Sequence, residues 1–450
     1  MTQQSAEWRR NRLGMGVWPH QGEVAIVGWG QSPVDRRWDG VNMDRTLGAY
    51  AILAIKRALE DAGIEPEDLD GLLCCPENMA GNPGPAGSWG PYRPYFPPPY
   101  DSEDGLTVVT NNWLRGQMPE LTNIQYAPDN VPAIGDGMGF AAQACADGMY
   151  QVGVYVYTAN NLEGRYRQGG EFDNAHVSGN RQWGQPWGDY QGLMTSTNVP
   201  IQQYCERYGI TWDELLSPFV INQHRNGLLK NPDEYEGWSY YYQYGPSQLT
   251  TEDYVNSRHI YFPLKIWDCD RPVNSVGAFV FATAERAKDM KQKPVYVANH
   301  SQGSGGRARS TQETLEDTEK AKEWVARLVY EGSGWSPSDV DIFNPYDGFS
   351  TFMPTTLEAF QWHGVGKGDA AAFLTGDIRV EGPHPFCSGG GNLGNGRTRT
   401  AMYIDSIQQL RGTAGPRQVS IKGGRPQTAI CAFAPGNSAA YLCLTNEAPG

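Results

Sequence analysis

The chain repeats itself. The segment EVAIVGWGQ, Glu23 to Gln31, and the segment PVYVANHSQ, Pro294 to Gln302, each read as a buried strand running into a loop, and they lie 271 positions apart. The same shift carries LEDAGIEPEDLDGLL, Leu59 to Leu73, onto YEGSGWSPSDVDIFN, Tyr330 to Asn344. Identities fall at Glu60 and Glu331, Gly63 and Gly334, Pro66 and Pro337, Asp68 and Asp339, and Asp70 and Asp341. One offset holding across two blocks without a gap marks a duplication. Between the blocks each half carries an apolar stripe at helical spacing. In the first half it is Leu47, Tyr50, Ala51, Ala54, Ile55, Ala58 and Leu59; in the second it is Ala321, Trp324, Val325, Leu328 and Val329. Each half is therefore strand, helix, strand, and the units are expected to form α/β layers with parallel strands.

The connecting regions differ in kind. GNPGPAGSWGPYRPYFPPPY, from Gly81, is too rich in Pro and Gly for regular structure and too aromatic for a free linker. From about Asn160 to Tyr261, helical signals such as IQQYCERYGITWDELLSPFVINQHRNGLL alternate with the aromatic clusters WGQPWGDY and YEGWSYYYQYG, which reads as an inserted cap over the α/β core. The expected division is 22–160 plus 262–287 for the first half, 161–261 for the insert and 292–446 for the second half.

Charge and cysteine usage narrow the function classes. With 36 basic against 50 acidic residues the net charge is −14, which repels nucleic acid and anionic membrane surfaces. No stretch approaches the length of a membrane span and the N-terminal residues lack a signal-peptide core, so a cytoplasmic protein is expected. The eight Cys are scattered, without a Cys-x-x-Cys pair, and His300, His363 and His384 lack metal-ligand spacing, so no metal is expected.

Two tandem halves with a large insertion after the first resemble the thiolase superfamily, in its branch of lipid-transfer proteins and sterol carrier protein thiolases. The motifs that carry the resemblance are VAIVGWGQS, ALEDAGIEPEDLDGL, GDGMGFAAQACADGM, LTTEDYVNSRHIYFPLKIWDCDRPVNSVGAFVFATAERA, VDIFNPYDGFS and SGGGNLGNGRTRTAM. The resemblance implies a duplicated α/β fold of two βαβαβαββ-type halves layered α-β-α-β-α. A thiolase places its nucleophilic Cys at the tip of the helix taken here to begin near Gly137. The matching position is Asp136, or Ile134 in a shifted alignment, and neither forms a thioester. The Gly-His-Pro motif falls where Gly396 and Arg397 stand, without a His. The Asn-Glu-Ala-Phe element falls on Tyr346, Asp347, Gly348 and Phe349. Only Cys431 has a plausible thiolase counterpart, and without its usual following glycines; Cys387 is a further thiol.

What remains points to enolate chemistry without a covalent intermediate. Backbone N–H groups at Gly137 and at Gly389, Gly390 and Gly391 are candidates to stabilise a thioester oxyanion, with Arg397 a candidate for binding phosphate or carboxylate. Tyr346 and Tyr296 are the candidate proton-transfer residues, with Asp136, His384 and Cys431 in reserve. This resembles the steroid side-chain aldolases, thiolase-like proteins without the thiolase cysteine, and implies retro-aldol cleavage of a β-hydroxyacyl-CoA. The resemblance further implies that coenzyme A arrives with the substrate, that the chain forms a homodimer, and that it works with a small zinc-ribbon/OB-fold partner in a heterotetramer. A thiolase-like acyltransferase and a non-catalytic scaffold subunit are the alternatives. Asp136 also reads as an ordinary N-cap.

Overall fold

The computed structural model describes residues 16–75, 105–106, 109–159, 198–229, 245, 248–303, 314–421, 423–434 and 438–448. The aromatic clusters Trp183 to Tyr190 and Tyr235 to Tyr244, and Lys422 in SIKGG, lie outside the described residues.

Among the described residues, eight strands form the main sheet. The first half supplies β1 (Val24–Gln31), β2 (Gly71–Cys75), β3 (Val152–Ala159) and β4 (Ser275–Thr283). The second supplies β5 (Val295–Ser301), β6 (Ile342–Asn344), β7 (Thr428–Ala432) and β8 (Tyr441–Thr445). Their order is β2-β3-β4-β1-β5-β8-β7-β6, so each half runs first, last, third, second strand outward from the seam. The seam is antiparallel and short, pairing Ala25 with Tyr296 and Ile26 with Val295. The expectation of parallel strands holds only for β2 with β3 and β6 with β7. In each half the last strand enters between the first and third and runs against both, which makes the remaining pairings antiparallel.

The 271-residue shift is visible in local structure. Helix α1 (Leu47–Ala62) starts on Thr46, whose hydroxyl accepts from the Ala49 N–H at 3.2 Å, and stops at left-handed Gly63. Further helices are α2 (Ile134–Ala146), α3 (Trp212–Leu228), α4 (Leu315–Ser333), α5 (Gly391–Asn395) and α6 (Ala401–Arg411). Helix α4 repeats the pattern of α1, with Thr314 accepting from Asp317 at 3.2 Å and Gly334 left-handed at the end. The duplicated Pro-x-Asp turns become single 3₁₀ turns at Pro66–Asp68 and Pro337–Asp339. Asp70 and Asp341 then play equivalent parts. Each carboxylate accepts backbone N–H groups where the third strand of its half begins, Gln151 and Val152 in one case, Gln427 and Thr428 in the other.

Burial separates the helices into layers. Helices α1 and α4 each lay one apolar face on the sheet of their own half and keep a wet face, as their stripes predict. Helix α2 touches strands of both halves, and α6 is buried on every side along its whole length. These two form the inner layer. Within this layer α6 carries Asp405, which accepts from Asn344 Nδ2 at 3.0 Å and Ser388 Oγ at 2.5 Å and pairs with the buried Arg417, a satisfied polar network that fixes the helix in one position. The described part of the insert is more than a cap. Helix α3 reaches the second half, where Asn222 and Asn226 donate to the Phe386 and Cys387 carbonyls at 3.3 Å. Among the described residues, no helix is long and apolar enough to cross a membrane.

Candidate active site

The helix predicted to begin near Gly137 begins at Ile134, after Ala133 in extended conformation. That shift of three residues reassigns the tip. Ile134, fully buried, stands at the first helical position, and Asp136 is an exposed first-turn residue whose side chain makes no capping hydrogen bond. The N-cap reading of Asp136 therefore gives way to Ala133. The Gly137 N–H is already spent within the helix, donating to the Ala133 carbonyl at 2.6 Å, so it is not an oxyanion donor. Among the described residues no acceptor meets the N–H groups of Ile134, Gly135 and Asp136, the three that a helix start leaves open. They face outward along a helix axis whose dipole favours negative charge.

Tyr346 follows β6 and is buried, its ring 4.4 Å from that of Phe433 in an edge contact and 6.0 Å from Phe352. No described residue hydrogen-bonds its hydroxyl. Burial pushes the phenol above its usual range, the positive charges of Arg397 and Arg399 pull it down, and Asp270 and Asp347 push it up again. The balance leaves a neutral phenol, a proton donor at pH 7. Phe433 connects Tyr346 to the helix tip. A side chain on Gly135 would run into the Phe433 carbonyl, and the Phe433 N–H donates to Tyr403 Oη at 2.8 Å. The Arg399 guanidinium lies over the Phe433 ring at 4.4 Å and donates to the Tyr157 hydroxyl.

Asp347 points the other way, into the protein. Its carboxylate accepts from Gln223 Nε2 of α3 at 2.6 Å and from the Asn392 and Leu393 N–H groups of α5 at 2.6 and 3.2 Å. Burial raises it to about 7 despite those three donors. The three glycines thereby acquire a different role from the one their sequence implied. Gly390 donates internally to the Cys387 carbonyl at 2.9 Å; a Cβ on it would strike the backbone of Gly227, one on Gly391 would strike the Asp347 carboxylate, and one on Gly389 would strike Asp405. Gly390 and Gly391 have φ of 75° and 52°. The loop is glycine-rich because α3 and Asp347 pack against its backbone.

Arg397 is buried, its Nε 3.8 Å from Asp270 Oδ2, and its own N–H donates to the Arg271 carbonyl at 2.7 Å. Asp270 in turn is fixed by its N–H to the Gly348 carbonyl at 3.0 Å. Gly348 lies beneath Tyr346: a Cβ there would stand 2.9 Å from Cε1 of the ring and closer still to the hydroxyl. Tyr346, Gly348, Asp270, Arg397, Arg399 and Phe433 thus form one connected group.

Other candidates stand apart from it. Tyr296 alternates out of the core that holds Tyr346; Val295 and Val297 face that core, while Tyr296 packs against the cluster under α1 on the opposite face of the sheet. Cys431 and Cys387 are fully buried, and burial pushes both thiols far above the range in which a thiolate forms at neutral pH. His384 is exposed, 4.8 Å from His363 and 6.0 Å from Phe373 in a surface aromatic cluster. His300 is held by Gln143 at 3.0 Å against Trp18, with its pKa lowered to about 4 by burial.

The thiolase C-terminal domain-like family matches residues 302–429, and the solved Ltp2-ChsH2(DUF35) aldolase aligns with a TM-score of 0.71 over 94% of this chain and 98% of that chain, at 22% identity. The chain has a duplicated thiolase-type α/β fold. A 17-hydroxy-3-oxo-4-pregnene-20-carboxyl-CoA lyase from Mycobacterium tuberculosis is 28% identical over 422 residues, 90% of this chain and 96% of that protein. A steroid side-chain-cleaving aldolase from Thermomonospora curvata is 26% identical over 416 residues, 89% and 93% of the two chains. For a chain of this fold the site is unusual in what it holds: an isoleucine at the helix tip, a tyrosine before the buried acid, and an arginine, Arg397, where the resemblance sets a histidine. Sequence reasoning missed Asp270 and Gln223, and named Asp347 and Gly348 only as motif positions. The signal for Gly348 and Asp347 was adjacency to Tyr346; Asp270 was visible as one of two acids in KIWDCDRPV.

Proposed function

We propose that this chain is an aldolase, a carbon–carbon lyase that performs retro-aldol cleavage of a β-hydroxyacyl-CoA thioester derived from a shortened steroid side chain. The products are a ketone and a shorter acyl-CoA. The observation that carries the reading is the similarity, across nine-tenths of the chain, to a steroid side-chain-cleaving aldolase and to a lyase named for a molecule bearing both a hydroxyl and a CoA thioester. The site chemistry supports it. An enolate forms at the thioester when the bond to the hydroxyl-bearing carbon breaks, and the open N–H groups of Ile134, Gly135 and Asp136 supply donors for its oxygen. Tyr346, kept neutral by burial, delivers the proton to the enolate carbon. Coenzyme A enters and leaves on the acyl group.

Acyl transfer through Cys431 or Cys387 is disfavoured by the burial and raised pKa of both thiols. The solved aldolase of similar fold is a complex with ChsH2(DUF35). By analogy we assign this chain a homodimeric core and a small zinc-ribbon/OB-fold partner in a heterotetramer. The decisive experiment is mass spectrometry of products from a panel of β-hydroxyacyl-CoA esters, with and without the partner. Ketone and shortened acyl-CoA in equal amounts are expected; an acylated cysteine with no cleavage refutes the reading.

A further inference from the structure

A retro-aldol reaction needs a base for the hydroxyl proton as well as an acid for the enolate. Of the residues first considered as the base, Tyr296 is on the far face of the sheet and His384 is in a surface cluster, while Asp136 offers the site its backbone N–H and has an exposed side chain. One carboxylate is built into the same group as Tyr346. Asp270 is buried; its N–H is bonded to the carbonyl of Gly348, the residue whose Cα lies under the Tyr346 ring and hydroxyl. Its segment is tied down a second time by the antiparallel bridge between Cys269 and Phe349. The Arg397 guanidinium, 3.8 Å away, keeps a negative charge tolerable in a buried place. Asp347, the neighbouring acid, is committed to three internal donors and faces α5 instead.

We propose that Asp270, held in place by Arg397 and by the Gly348 backbone, is the base that accepts the proton of the substrate hydroxyl, with Tyr346 as the opposing acid. This rests on the aldolase reading of the site. In balanced form, the hydroxyl O–H proton passes to the Asp270 carboxylate as the C–O bond becomes a carbonyl. The electron pair of the broken C–C bond goes to the α carbon as a thioester enolate, and the Tyr346 hydroxyl protonates that carbon. The Asp270 proton then restores the phenol through solvent. No oxidant or added reactant is needed.

The two proton transfers are separable. A shortened acyl-CoA incubated with the enzyme in deuterated water exchanges its α hydrogen through the enolate step alone, which involves Tyr346 and not the hydroxyl base. Asp270→Asn is expected to lower cleavage by about 10²-fold or more while α exchange stays within about tenfold of wild type, whereas Tyr346→Phe loses both. Asp270→Glu keeps a carboxylate beside Arg397 and is expected to retain measurable cleavage, which covers the case in which the asparagine variant does not fold. Formate added to Asp270→Ala is expected to restore part of the cleavage rate. Wild-type cleavage by Asp270→Asn, equal loss of exchange and cleavage in it, or an Asp270→Glu that is folded but as inactive as the asparagine variant would each overturn the assignment. Absence of cleavage by the wild-type protein would overturn the aldolase reading itself, a different result.

Discussion

Gly348→Ala tests the geometry of the site with one added methyl group. The new Cβ would stand 2.9 Å from Tyr346 Cε1 and nearer to the hydroxyl. Packed carbons sit about 3.5 Å apart, so the ring edge must move about 0.6 Å and the hydroxyl about 1 Å or more. Tyr346 is boxed in by Phe433 at 4.4 Å and Phe352 at 6.0 Å, so the ring has little room to slide without moving them. Forced overpacking of this kind costs about 1–3 kcal/mol of stability. A misplacement of about 1 Å at a reacting group costs about 10²-fold in rate, or about 2.7 kcal/mol of transition-state stabilisation. Steady-state cleavage and thermal melting on the same preparation check both figures. The expected result is a folded protein with a modestly lower Tm, kcat down about 10²-fold and KM changed much less. A Gly348→Ala enzyme with wild-type kcat would refute the placement of the Tyr346 hydroxyl as the working group.

Further outcomes follow from the same geometry. Tyr346→Phe removes a hydroxyl that no described residue hydrogen-bonds, so turnover should fall about 10²- to 10⁴-fold with little change in Tm, read by product formation and melting. Cys431→Ala should lower Tm, because the thiol fills a fully buried site, but leave kcat within a few-fold. Asp347 has a folded-state pKa raised to about 7, so its favourable contribution is complete below the ordinary carboxylate range near 4 and is lost as pH rises through about 7; Asp347→Asn should flatten that part of the Tm-against-pH curve between about pH 4 and 7.

The duplication made the outer frame readable. Strands, capped helices and the Pro-x-Asp turns recur at one offset because the same local chemistry closes each half, as Thr46 with Gly63 and Thr314 with Gly334 illustrate. Strand direction was not readable, since it depends on where β4 and β8 enter the sheet after long connections. The candidate site was legible at Tyr346 and at the helix tip that carries no Cys. It was misread where the helix was started three residues late, because Ile134 looks like ordinary core and Gly137 like the turn. Tyr296 was misplaced for a different reason: a strand puts alternate residues on opposite faces, and sequence does not say which face holds the site. Asp270, Gln223 and Asp347 meet only in three dimensions.

Helix α6 has no side in contact with water, and its polar residues are spent on buried neighbours, Asn344, Ser388 and Arg417 among them. Substitutions along it therefore have nowhere harmless to point, whereas α1 and α4 keep a solvated face that absorbs change. The protein's latitude for drift and for engineering is unevenly distributed. It lies in the outer shell and is close to nil in the inner layer, so efforts to retune the substrate range have room in the outer surfaces and connections and little in this fully buried helix.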